Sequence, residues 1–146
     1  MTLVVDASVV VKWVLPESSV ETDTQAALGL LGHIRDGRVA VLQPPHWLAE
    51  VAAVTARLAP RLAREVVGLL YAMELPVSGG PEVYERASDL AGSTGEHVFD
   101  TLYHAVALGH PVAVLVTADE RYYRRAASLG RMVRLRDFRP EAHAPR

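Results

Sequence analysis

Residues 3–5 (LVV) and 112–116 (VAVLV) are unbroken apolar runs of strand length. A strand with one wet face alternates apolar and polar residues. A run without alternation is buried on both faces, as strands are in a parallel sheet covered above and below by helices. The remaining sequence supplies the helices. Their periodicity and punctuation predict helices over 8–14 (closed by Pro16), 17–35 (ended by Asp36-Gly37), 46–58, 60–73 (opened by Pro60), 81–91, 98–108 (ended by Gly109 and Pro111) and 120–129 (stopped by Gly130). Further strands are expected over 39–42, 74–77 and 132–135. Strands alternating with helices in this way imply an α/β fold, a three-layer α/β/α sandwich around a central parallel sheet. At 146 residues with 50% hydrophobic content, the chain suits one core. Residues 1–140 are expected to form a single domain, and 141–146 a short C-terminal tail.

Ligands of such sheets bind beyond the carboxyl ends of the strands. Asp6 follows LVV directly, and Thr117 and Asp119 follow VAVLV in VLVTADER, so two strands deliver carboxylates to one edge. The helices add two acids. In HWLAEVAAV the apolar stripe is Trp47, Leu48, Val51 and Val54, with Glu50 beside it. In VFDTLYHAVAL it is Phe99, Leu102, Ala105 and Val106, with Asp100 on its border. Each acid taken singly reads as well as a charge placed near a helix start. Together they converge only at a large electrostatic cost, because adjacent carboxylates raise each other's pKa. A divalent cation removes that cost, and all-oxygen ligands suit Mg²⁺ or Mn²⁺.

Charge and composition limit the alternatives. With no cysteine, the chain has no disulfide framework, thiolate metal site or cysteine nucleophile. The apolar start lacks a basic opening and carries Asp6 and Lys12 within it, so it reads as fold and not as a leader. No apolar run has the length of a membrane span, and a cytoplasmic, membrane-free protein is expected. The net charge of −2 hides an asymmetry: residues 1–56 carry −3, residues 57–120 carry −5, and residues 121–146 carry +6. Fourteen of the fifteen basic residues are Arg, Lys12 being the exception. Arg meets phosphate bidentately, so this C-terminal charge reads equally as a phosphate-binding surface or a solvated face.

The set VVDASVV, WLAEVAAV, VFDTLYHAVAL and VTADERYYRRA, in that order and spacing, resembles the PIN-domain ribonucleases, in particular the VapC toxins of bacterial toxin–antitoxin pairs. The resemblance extends from Leu3 to about Phe138. It implies a compact α/β/α sandwich and an acidic pocket built from Asp6, Glu50, Asp100 and Asp119, with Ser8 and Thr117 matching the small hydroxyl residues that line the family's pocket. It also implies Mg²⁺- or Mn²⁺-dependent cleavage of RNA, a homodimer, and inhibition by a cognate VapB-like antitoxin. On this reading Asp6 and Asp100 hold the principal cation directly, Glu50 and Asp119 hold it through water or bind a second ion, and Ser8 and Thr117 orient the carboxylates. Some members have a further acid beside the fourth. Here that neighbour is Glu120, which leaves the number of ions open.

Arg121, Arg124 and Arg125 follow the pocket edge on one helix and are the candidates for RNA phosphate contacts, against the plainer reading of an exposed helix face. His46 and His104 stand four residues from Glu50 and Asp100 but match no zinc motif, and are read as packing or supporting groups. Trp13 and Trp47 are read as core; Tyr122 and Tyr123 are left between core and base stacking. Asp137, in basic surroundings, is read as a structural ion-pair acid. A phosphorelay receiver needs an acidic pair after the first strand, and an aspartyl phosphatase needs Asp two residues after Asp6, where Ser8 stands; neither fits. A non-catalytic RNA- or protein-binding module of the same fold remains the rival reading.

Overall fold

The computed structural model describes residues 1–15 and 21–143. Its centre is a four-stranded, wholly parallel sheet of β1 (Thr2–Val5), β2 (Ala40–Val41), β3 (Ala113–Thr117) and β4 (Met132–Arg134), in the order β2-β1-β3-β4. Leu3, Val4 and Val5 are fully buried, as are Ala113, Leu115 and Val116, so the two central strands are covered on both faces. The helices are α1 (Ala7–Val14), α2 (Glu21–Arg35), α3 (Trp47–Leu58), α4 (Ala63–Ala72), α5 (Pro81–Thr94), α6 (Val98–Gly109) and α7 (Glu120–Ala126). The architecture is the expected three-layer α/β/α sandwich. Helix α1 packs on α2 and α3, while α5 packs along α6, which lies against β1 and β3.

Strand order explains where a site forms. From β1 the chain crosses to β2 on one side, then returns to place β3 on the other. The connections therefore leave β1 in opposite directions and open a crevice at its carboxyl end, between β1 and β3. Pairing in register (Leu3 with Val114, Val5 with Val116) ends both strands at the same level.

Several boundaries differ from the sequence reading, each for a local reason. Residues 74–77 are not a strand. Glu74 has a left-handed backbone (φ 49°), and the segment meets the sheet only through an isolated bridge between Val77 and Gln43. Strand β2 keeps two residues of the expected four. Helix α4 begins at Ala63 because residues 60–62 form a turn, and α5 continues to Thr94, where Gly95 (φ 74°) closes it. The last predicted helix divides into α7 and a 3-10 turn over Ala127–Leu129. The expected stop at Pro16, the start of the second helix at residue 17 and the end of the tail lie outside the described residues. Trp13 and Trp47 are core, as read. Among the described residues no helix is long and apolar enough to cross a membrane.

Candidate metal centre

A pocket of about 320 Å³ opens at the crevice, lined by Asp6, Ser8, Glu50, Asp100 and Asp119 with Lys12, Val11, Val54 and Leu58. All four sequence-predicted carboxylates and Ser8 thus line one cavity. Asp6 is placed by the strand. Its N–H donates to the Val116 carbonyl (3.0 Å), continuing the β1–β3 ladder by one residue, and its own carbonyl accepts from Val9 and Val10 as the first turn of α1. Asp119 caps α7, its Oδ1 accepting from the Tyr122 N–H at 2.9 Å. Glu50 and Asp100 stand in the first turns of α3 and α6.

Two hydroxyls fix Asp6. Thr117, fully buried, donates to Oδ2 at 3.0 Å, and Ser8 donates to the same oxygen. Each hydroxyl also accepts: Ser8 Oγ from the Ala118 N–H, and Thr117 Oγ1 from the Asp119 N–H, both at 3.0 Å. The β3–α7 turn is thereby tied to the end of β1. The opposite wall is held by aromatic residues. The hydroxyl of fully buried Tyr103 donates to Glu50 Oε2 at 2.8 Å, and His46 Nε2 stands 3.2 Å from that oxygen. Nε2 also lies 2.7 Å from the Phe99 carbonyl, which can only accept, so this nitrogen carries the proton.

A pattern runs through these contacts. Asp6 Oδ2, Glu50 Oε2 and Asp119 Oδ1 are claimed by donors from the chain, whereas their second oxygens, and both of Asp100's, receive no hydrogen bond among the described residues. The electrostatics agree. Burial pushes the Asp6 carboxyl up to about 6, the charges of Glu50 and Asp100 adding to the rise while the two hydroxyls oppose it. Asp100 is raised by burial and then by Glu50 and Asp119. Tyr103 is pushed far above the ordinary phenol range, first by burial and then by Glu50, and stays a donor. The donor set is hard oxygen throughout, with negative charge in excess, and fits a hard divalent cation. No three of these groups among the described residues stand close enough to form a ready coordination sphere.

The remaining sequence-predicted residues lie elsewhere. Arg121 Nη2 lies 3.1 Å and Arg125 Nη1 3.2 Å from the carboxylate of Glu96, whose side chain is only 2% exposed. Arg124 is exposed on α7. Glu120 turns away from the acidic pocket to Arg136 (3.1 Å) and Arg134 (3.9 Å). Asp137 pairs with Arg134, as its basic surroundings imply. His104 is buried, with Nε2 donating to the Gly130 carbonyl at 2.8 Å and Nδ1 accepting from the Tyr122 hydroxyl at 3.1 Å. Burial lowers its pKa, and it is a packing group. Tyr122 is buried too and closed to base stacking, while Tyr123 lies beneath the Arg134 guanidinium. Three contributors were missed: Tyr103, which the apolar stripe disguises; Glu96, which reads as a loop charge; and Lys12, the one cation on the pocket wall among the described residues.

A model of the PIN domain family matches residues 3–128 of the chain. No curated protein matches it.

Proposed function

The chain belongs to the PIN domain family, and from that membership and the unclaimed carboxylate oxygens we propose that it is a metal-dependent endoribonuclease, the VapC-type toxin of a type II toxin–antitoxin pair. PIN domains are in general metal-dependent nucleases that bind RNA. The metal-dependent part of this reading rests on one observation, that three carboxylates in one pocket each have one oxygen held by the chain and one left over; the toxin part rests on the resemblance of the four motifs. A purely structural acid gains from using both.

Asp6 and Asp100 would hold Mg²⁺ or Mn²⁺ directly, and Glu50 and Asp119 would hold it through water or bind a second ion. The bound ion supplies Lewis acidity at the phosphoryl oxygen and a water of lowered pKa. The chain's own contribution is orientation. Ser8 and Thr117 fix Asp6, Tyr103 and His46 fix Glu50, and the Tyr122 amide fixes Asp119, so the carboxylates need not reorganise when the phosphodiester arrives. Residues 1–140 act as the nuclease unit. RNA is the substrate, a VapB-like antitoxin the inhibitor, a homodimer the working form and the cytoplasm the setting.

The rival, a non-catalytic binding module, has on its side the lack of a ready coordination group. Incubating the purified protein with a structured RNA mixture separates the two. Cuts that need Mg²⁺ or Mn²⁺, stop with EDTA and vanish in Asp6→Asn are expected. No cleavage, together with no calorimetric heat of metal binding, would establish the rival.

A further inference from the structure

The acids occupy only one end of the pocket. On α3, Glu50, Val54 and Leu58 follow at four-residue steps and all line the cavity, so its wall runs about 12 Å along the helix from carboxylate to apolar residues. On α1, Ser8 and Lys12 are related in the same way, which sets Lys12 about 6 Å along the helix from the hydroxyl that holds Asp6. A six-coordinate cation with a full water shell takes roughly 180 Å³, at about 30 Å³ per water. The 320 Å³ cavity exceeds that. Away from Glu50 along α3 the lining is apolar, Val54 and then Leu58, with Leu58 53% exposed.

Lys12 is unusual by composition and by placement. It is the single lysine among fourteen arginines, and it lines a pocket that holds four carboxylates. Among the described residues it nonetheless makes no ion pair. The arginines that the sequence offered for phosphate, Arg121 and Arg125, are engaged by Glu96. Among the described residues, the cation beside the acids that has no ion pair is therefore on α1. A compact ammonium on a flexible stem meets phosphate as a point charge, without the planar approach a guanidinium demands.

We propose that the groove between α1 and α3 seats the nucleotide flanking the scissile phosphate of a single RNA strand, with the Lys12 ammonium on its backbone phosphate and its sugar and base against Val54 and Leu58. This rests on the nuclease reading for what occupies the acidic end, and makes Lys12 a substrate-binding residue.

The test compares Lys12→Gln and Lys12→Arg by steady-state cleavage, and in an Asp6→Asn background by fluorescence anisotropy with a labelled, mixed-sequence, single-stranded oligoribonucleotide. Loss of one charge-assisted phosphate contact in Lys12→Gln is expected to raise KM and weaken binding about tenfold. It should also lower the slope of log affinity against log salt by about 0.7. The turnover number should stay within about twofold, and Lys12→Arg should keep the slope. An unchanged salt slope would overturn the proposal, whether activity survives or falls, since a structural role for Lys12 moves stability without counting phosphates. Loss of the slope in Lys12→Arg as well would also overturn it, by showing that shape and not charge matters. Binding with the expected slope change in a protein that cleaves no RNA would sink the nuclease reading and leave the Lys12 contact standing.

Discussion

Asp6 and Glu96 are both inward carboxylates near the same end of the molecule, yet their surroundings are opposite. Glu96 spends both oxygens inside the fold: Oε2 meets Arg121 at 3.1 Å, and Oε1 meets Arg125 at 3.2 Å. Asp6 has two neutral hydroxyls on one oxygen, no cation among the described residues on either, and two further acids close enough to raise it. A charge kept for structure is neutralised by its own chain. A charge kept for a ligand is left in deficit, and that deficit is what an incoming cation relieves.

The contrast predicts opposite responses to the same kind of change. Asp6→Asn should lower cleavage by about a thousandfold or more, since metal assistance contributes several kcal/mol to the barrier, while the metal-free variant melts above the native protein. A variant that melted lower would mean that Asp6 is structural. The double change Arg121→Gln/Arg125→Gln leaves Glu96 buried without its cations. It should cost about 3 kcal/mol in urea unfolding, and intact stability would erase the distinction between the two acids.

Acidity sharpens the comparison further. The folded Asp6 carboxyl lies above its unfolded value of 3.8, so the native state holds a proton that the unfolded chain has released between about pH 4 and 6. Stability in EDTA should therefore fall as pH rises through that window, by about 2 kcal/mol once the open pocket's solvent is allowed for. Asp6→Asn should flatten that fall, and millimolar Mg²⁺ should offset it. The smallest effect is expected at Tyr103→Phe, which frees Glu50 Oε2 from one donor: a drop of about tenfold in cleavage, with unchanged activity showing that His46 alone holds Glu50.

Much of this was legible in the sequence. The acids at Asp6 and Asp119 follow unbroken apolar runs, and an acid after a doubly buried strand has nowhere to go but the carboxyl edge. Glu50 and Asp100 border apolar stripes, so helical periodicity places them too. What escaped reading depends on partners distant in sequence. Nothing near Glu96 says that it is buried; Arg121 and Arg125, 25 and 29 residues further on, decide it. The same pairing gives two arginines that a local reading assigns to RNA a partner inside the fold as well. Tyr103 looks like any aromatic on a core stripe until Glu50, 53 residues earlier, meets its hydroxyl. Residues 74–77 look like a strand because composition cannot reveal that Glu74 adopts a left-handed turn.

The bond from Thr117 to Asp6 spans 111 residues of sequence. The strands that carry the two groups pair directly, so the first part of the pocket laid down during synthesis waits for nearly the last before either wall exists. Such long-range pairing is slow to form and has no local precursor. A nascent or truncated chain lacking β3 holds Asp6, Ser8, Glu50 and Asp100 but neither Thr117 nor Asp119, and has no β1–β3 crevice to collect them. If the proposed RNA cleavage holds, the topology postpones it until the sheet is complete.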